Sequence, residues 1–148
     1  MKAVRSSAHA RGTHPKMQAP AVPASGMKPR DLLKTSWRSL DEEWVTDELS
    51  RQVIHGEKAT LSRLTLKAGA DVARHDHMNE EYCWVLSGAL EYRMDDETIT
   101  VRAGEILVVP SKMPHAIVAV EDTACIDFFA PVREDWLKGE DRYLRKPH

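Results

Sequence analysis

His75 and His77 stand one residue apart in the stretch HDHMNEEYCWVLSG (75–88), Glu81 lies four positions beyond His77, and His115 follows Pro114 at the head of HAIVAV. Neutral imidazole nitrogens and a carboxylate oxygen make a mixed donor set that suits a divalent first-row metal, with positions left open for water or substrate. On an extended strand side chains alternate faces, so His75 and His77 point the same way about 7 Å apart, a separation from which two ligands converge on one ion. Glu81 keeps that parity if the strand runs on through a bend, and Tyr82, Trp84 and Leu86 then face the other side. Glu80 is either a solvated or salt-bridged neighbour or the ligand in place of Glu81. The donor set accepts iron, manganese, nickel or zinc according to supply and geometry.

Short strands are the elements that must hold these residues. ATLSRLTL (59–66) is rich in β-branched residues and leucine and stops at KAGAD, where Gly69 suits a turn. YCWVLSG stops at Gly88, ALEYRM (89–94) alternates Leu90, Tyr92 and Met94 against Glu91 and Arg93, and DDE turns the chain into TITVR, a hairpin. ILVVP, HAIVAV and ACIDFFAP follow, each close to strand length. Short strands at regular spacing, joined by hairpin turns, describe an all-β sandwich or barrel. Only REDWLKGEDRYL (133–144) reads as a short helix, placed at the periphery.

With 148 residues the chain is long enough for one domain with a core and too short for two of ordinary size. A content of 42% hydrophobic and 30% charged residues describes a soluble globular protein, and a net charge of -2 supplies no bulk attraction for nucleic acid or an anionic membrane. No apolar run approaches the roughly 18 residues of a membrane span, and the leader lacks the continuous apolar segment of a secretory signal, so the expected setting is cytoplasmic. Cys83 and Cys125 have no CxxC spacing and are read as two small buried thiols. Residues 1–30 are rich in Ala, Pro and Ser, carry six Lys or Arg and contain no acidic residue. The composition predicts a disordered basic tail over 1–36, with His9 and His14 solvated in it, ahead of a folded domain over 37–148. Proline interrupts GTHPKMQAPAVPASG too often for the amphipathic helix of a transit peptide.

The spacing Gly69, five residues, His75, one residue, His77, three residues, Glu81, six residues, Gly88 resembles the first signature motif of the cupin family, and Gly104, five residues, Pro110, four residues, His115 resembles the second. The fifteen residues between them resemble the short intermotif region of small single-domain cupins. The resemblance covers about 59–131 and implies a jelly-roll barrel, or double-stranded β-helix, with His75, His77, Glu81 and His115 as ligands of one divalent transition metal in the barrel mouth. It also implies a homodimer. Lys112 stands where the older motif has Gly and Ala119 where it has Asn, and neither is a ligand position.

CIDFFAPVREDWL (125–137) resembles the closing strand and tail of the KdgF-like cupins, which open the ring of unsaturated uronate sugars. Carried over by position, that family's functional residues fall on Asp127, Phe129 and Arg133. Arg133 would grip a substrate carboxylate bidentately, Phe129 pack on the sugar and Asp127 move a proton. The alternatives are a hydrogen-bonded carboxylate closing the barrel for Asp127, and an ion pair with Glu134 or Asp135 for Arg133. Those enzymes more often carry Gln at the position of Glu81. A carboxylate there cancels one more unit of metal charge and suits redox-capable iron or manganese, so a dioxygenase stands as an alternative, beside a non-catalytic cupin that binds a metal or small ligand.

Overall fold

The computed structural model describes residues 32–145; the segment 1–31, with His9 and His14, and residues 146–148 lie outside the described residues. Ten strands follow a 3-10 turn at Trp37–Ser39: β1 Glu43–Trp44, β2 Leu49–His55, β3 Thr60–Leu66, β4 Asp71–His75, β5 Glu80–Ser87, β6 Ala89–Arg93, β7 Thr98–Arg102, β8 Ile106–Val109, β9 His115–Ala119 and β10 Thr123–Ala130. Two short helices close the described chain, α1 Glu134–Leu137 and α2 Arg142–Arg145. The strands form a six-stranded sheet in the order β1-β2-β3-β10-β5-β8 and a four-stranded sheet in the order β4-β9-β6-β7, a jelly-roll pair of layers. Among the described residues no helix is long and apolar enough to cross a membrane.

Alternation decides what goes between the layers. In the six-stranded sheet Leu64, Cys83, Val85 and Cys125 point inward; Val72, Leu90, Tyr92 and Val101 meet them from the other. Both cysteines are free and buried. Gly88, between β5 and β6, has φ +80, and a Cβ there would meet the Asp122 carbonyl oxygen at 2.2 Å and Thr123 Oγ1 at 2.4 Å. Only glycine lets this turn press so closely on the start of β10.

Strands β1 and β2 are absent from the sequence reading, which placed His75 of β4 on a strand but not the residues before it; β2 is too polar to look like a strand core. In LSRQVIH the polar groups are spent on distant partners: Gln52 Nε2 donates to the carbonyls of Trp37 (2.5 Å) and Leu40 (2.9 Å), Ser50 Oγ to Glu42 Oε1 (2.6 Å), and Arg51 Nη2 to Asp141 Oδ2 (2.5 Å). The single peripheral helix expected over 133–144 is instead two four-residue helices, because Gly139 takes φ +70 between them. Nor is the segment peripheral, since Leu144 is buried in the core cluster with Trp136 and Tyr143 packed against it.

The outer face of the six-stranded sheet is apolar over two consecutive registers. Ile126, Trp84 and Ile106 lie side by side across β10, β5 and β8, and Leu61, Phe128, Tyr82 and Val108 form the next row. A surface groove of about 450 Å³ runs over this band, with Trp37 at its rim.

Candidate metal centre

His75 is the last residue of β4 and His115 the first of β9, and the antiparallel register sets them directly opposite each other, with ring centroids 4.4 Å apart. His77 is not on a strand. β4 ends at His75, and residues 76–79 carry the chain across to β5 in the other sheet, so the expectation of one continuous strand face is replaced by a loop. That loop is pinned on three sides: Asn79 Nδ2 donates to the Pro131 carbonyl at 2.5 Å, Ser111 Oγ to the Met78 carbonyl at 2.6 Å, and the Lys112 amide to the His77 carbonyl at 2.8 Å. Lys112, where the older motif has glycine, has φ +65, a left-handed conformation that costs a non-glycine residue about 1 kcal/mol.

The three rings are oriented by the same device. His75 Nδ1 lies 2.7 Å from the Ala73 carbonyl, His77 Nδ1 2.9 Å from the Asn79 carbonyl, and His115 Nδ1 2.8 Å from the Met113 carbonyl. A carbonyl only accepts, so each Nδ1 carries the hydrogen and each Nε2 turns a lone pair inward. The three rings offer ligand atoms within 4.8 Å of one another. Glu81 enters from β5 in the opposite sheet: its Oε2 is 3.1 Å from His77 Nε2 and 3.5 Å from His115 Nε2, while Oε1 accepts a hydrogen bond from Tyr92 Oη at 3.1 Å. Glu80 points outward, accepting from Tyr82 Oη at 2.7 Å, so Glu81 and not Glu80 faces the imidazoles.

These residues fit a divalent cation. His115 Nε2 is buried with no hydrogen-bond partner, and inward lone pairs beside a carboxylate repel one another unless a positive charge sits among them. Without a metal, protons must supply it. Burial pushes Glu81 up, but His115 and His77 outweigh it and hold the carboxyl below the usual carboxylate range. Burial lowers His115, and Glu81 more than reverses this, so its pKa is raised. His75 has no such carboxylate contact: burial, then the charge of His115, depress it to about 4.

Asp127, Phe129 and Arg133 face a small cavity beside this centre, in company with His75 and Glu81. The cavity measures about 30 Å³. Asp127 Oδ1 is buried with no hydrogen-bond partner, and burial, then the neighbouring Cys83 and Glu81, push its carboxyl well above the usual range. Phe129 stands edge-on to His77, ring centroids 5.6 Å apart. Arg133 is 1% exposed, with its guanidinium 4.6 Å from the Phe129 centroid and 4.4 Å from that of Trp136. Its fork is taken by Asp135, Nε to Oδ1 at 2.9 Å and Nη2 to Oδ2 at 2.7 Å, and Nη2 also reaches Tyr143 Oη. The ion pair with Asp135 considered as an alternative is present, buried on the arginine side.

The residues that sequence reasoning did not single out for the site are the ones that act on its members: Tyr92 on Glu81, Asn79 on the His77 loop, and Trp136 and Tyr143 on the cavity. Tyr92 was marked inward by alternation in ALEYRM, but nothing in the sequence said that its hydroxyl would meet Glu81.

The family model described as Cupin domain matches residues 62–128. Among solved structures the chain is similar to KdgF from Halomonas sp., at 26% identity and a TM-score of 0.63, over 68% of this chain and 96% of that one. It is also similar to an RmlC-like cupin protein from Desulfovibrio desulfuricans, at 29% identity and a TM-score of 0.53, over 71% and 97% of the two chains. An uncharacterized protein of Methanocaldococcus jannaschii is 27% identical over 94 residues, which are 58% of this chain and 74% of that protein.

The opposed shifts at the two paired histidines give an ordered titration in metal-free protein. A raised pKa means that His115 takes its proton above the ordinary histidine value of 6.5, whereas His75 stays neutral until the pH nears 4. Stability contributed by His115 is present below pH 6.5 and lost as pH rises through its folded value; His75 works the other way, costing stability as pH falls from 6.5 towards 4. Residue-resolved NMR of the imidazole Cε1–H signals should show His115 titrating before His75 on acidification. The reverse order would contradict this reading of the cluster.

Proposed function

Since this chain belongs to the cupin family through residues 62–128, we propose that it is a metal-dependent enzyme that opens the ring of a small uronate-like sugar acid by proton transfer. The observation that carries the reading is Asp127, a buried carboxyl whose pKa burial pushes well above the usual range and which has an unpartnered oxygen, facing the same cavity as the imidazole cluster and Arg133. The resemblance of 125–137 to the KdgF-like cupins and the similarity to KdgF from Halomonas sp. support it.

Ring opening of such a hemiacetal is an isomerisation: the ring C–O bond breaks, the hemiacetal hydroxyl gives up its proton as its carbon becomes an aldehyde, and the enolate released takes a proton at carbon and becomes a ketone. No oxidant or reductant is needed. A cation held by His75, His77, His115 and Glu81 supplies Lewis-acid polarisation of substrate oxygens. The protein does the rest. The raised pKa makes the Asp127 carboxylate a stronger proton acceptor than an ordinary aspartate and its acid form a donor within reach of the same cavity, so it can relay a proton between the hydroxyl and the enolate carbon. Arg133 offers a planar fork for the sugar carboxylate, and the Phe129 ring packs beside it. Tyr92 fixes one Glu81 oxygen so that the other stays aimed at the imidazoles.

The substitution Asp127→Asn keeps the shape and removes the transferable proton. It is expected to cut turnover of an unsaturated uronate at least about 100-fold while metal content stays the same. Wild-type turnover by the variant, or oxygen consumption by the wild type with no loss of the enol, would contradict the proposal.

We also propose that two copies pair through the apolar outer face of the six-stranded sheet. Tyr82, Trp84, Leu86, Ile106, Val108 and Phe128 are each 39–61% exposed. They form one contiguous apolar band across β10, β5 and β8, like the apolar centre of a stable interface. Among the described residues this band is uncovered, and a two-fold axis facing it sets the same rows of each copy against the other. Light scattering should find a dimer that Trp84→Glu with Ile106→Glu converts to a monomer; a wild-type monomer at tens of micromolar would contradict the pairing.

A further inference from the structure

The cavity beside the imidazoles is too small for the substrate just proposed. About 30 Å³ admits a water molecule or two, whereas enclosing a ligand of sugar size takes a pocket approaching 300 Å³. What fills the difference is the segment 134–145. Tyr143 stacks on His75, ring centroids 4.3 Å apart and planes 17° from parallel, and its hydroxyl accepts from Trp136 Nε1 at 3.0 Å. Trp136 is wedged above Phe129, centroids 5.2 Å apart, between the guanidinium groups of Arg51 and Arg133.

The same segment also occupies the group meant for the ligand. Asp135 takes the Arg133 fork in the two-bond geometry that a free carboxylate would adopt, and Tyr143 takes a further contact on the same nitrogen. The backbone of Arg133 has anchors outside α1 and α2, and its guanidinium also packs on Phe129 of β10. Its amide donates to Thr60 Oγ1 at 2.9 Å, and Asn79 Nδ2 holds the carbonyls of Pro131 and Val132 just before it. A pivot directly after Arg133 would keep its amide on Thr60 and its guanidinium beside Phe129, and would free the fork as Asp135, Trp136 and Tyr143 move away.

At the far end of the segment Leu144 is buried in the core, and beside it the contacts are ionic. Asp141 accepts from Arg51 Nη2 at 2.5 Å and from Arg145 Nη2 at 3.1 Å, and Arg145 also pairs with Glu43 of β1. Arg145 and Glu43 are 39% and 45% exposed at their side chains, so this tie is reached by water and can exchange partners without burying a bare charge. Resting on the role given to Arg133 above, we propose that residues 134–145 are a latched cap over the imidazole cavity. In it the Asp135 carboxylate is seated on Arg133 as an internal stand-in for the carboxylate of a monosaccharide acid, which is admitted when the cap swings out. Closed, the site exposes its imidazoles only to water-sized molecules; open, it takes a single carboxylated ring.

Cobalt(II)-loaded full-length protein tests the cap without any turnover assay. Arg145→Gln cuts the partly exposed tie, and Tyr143→Leu removes the ring over His75. Each should speed extraction of the metal by EDTA by about fivefold or more. Hydrogen–deuterium exchange of the wild type should show 134–145 opening well ahead of β5 and β10. Extraction at the wild-type rate by both variants, or exchange of the cap only together with β5 and β10, would overturn the proposal. D-galacturonate, followed by calorimetry, separates it from the functional reading. Tighter binding to Arg145→Gln than to wild type supports both, whereas accelerated extraction with no galacturonate binding to any form leaves the cap standing and removes the uronate substrate.

Discussion

Four lone-pair donors are held face to face in a space shielded from water, and that electrostatic conflict is what the rest of the structure is arranged around. Each imidazole is turned by a backbone carbonyl on its Nδ1, so none can relieve the repulsion by offering a hydrogen from Nε2 unless it becomes charged. Glu81 adds a negative charge 3.1 Å from one of them. Such a group is stable only around a positive charge, and a divalent cation satisfies all four donors where a proton satisfies two.

Holding that conflict requires both sheets. His75 and His115 come from paired strands of the four-stranded sheet, Glu81 from the six-stranded one, and His77 from the loop that joins them. The two layers are tied at the same level by Tyr92 of β6 on Glu81 of β5. Asn79, 2% exposed, fastens the crossing loop to the chain beyond β10, which is the chain that carries Arg133. The imidazole cluster, the Arg133 guanidinium and the segment 134–145 are therefore neighbours in the fold.

Much of this was legible in the sequence. The ligand types and their spacing, the strands rich in β-branched residues, the inward parity of Asp127 with Phe129 and the outward parity of Tyr82 with Trp84 all follow from alternation, and the structure places them so. What was hidden depended on partners far along the chain. β2 looked unlike a strand because Arg51 and Gln52 are satisfied by Asp141, Trp37 and Leu40, which no local window contains. His77 was read on a strand because parity says nothing about where a strand stops. The tail was read as peripheral because Trp136, Tyr143 and Leu144 look like an ordinary short amphipathic stretch until the cavity they fill is in view. The expected disordered tail lies largely outside the described residues.

The central claim is that one cation is shared by these four side chains. Its most direct measurement is the anomalous-difference map of crystals grown from zinc-loaded protein. The account predicts a single peak inside the barrel, at about 2.0–2.2 Å from the Nε2 atoms of His75, His77 and His115 and from a Glu81 oxygen. A map in which zinc binds elsewhere, or in which one of the three rings has turned its Nε2 away from the others, would contradict it.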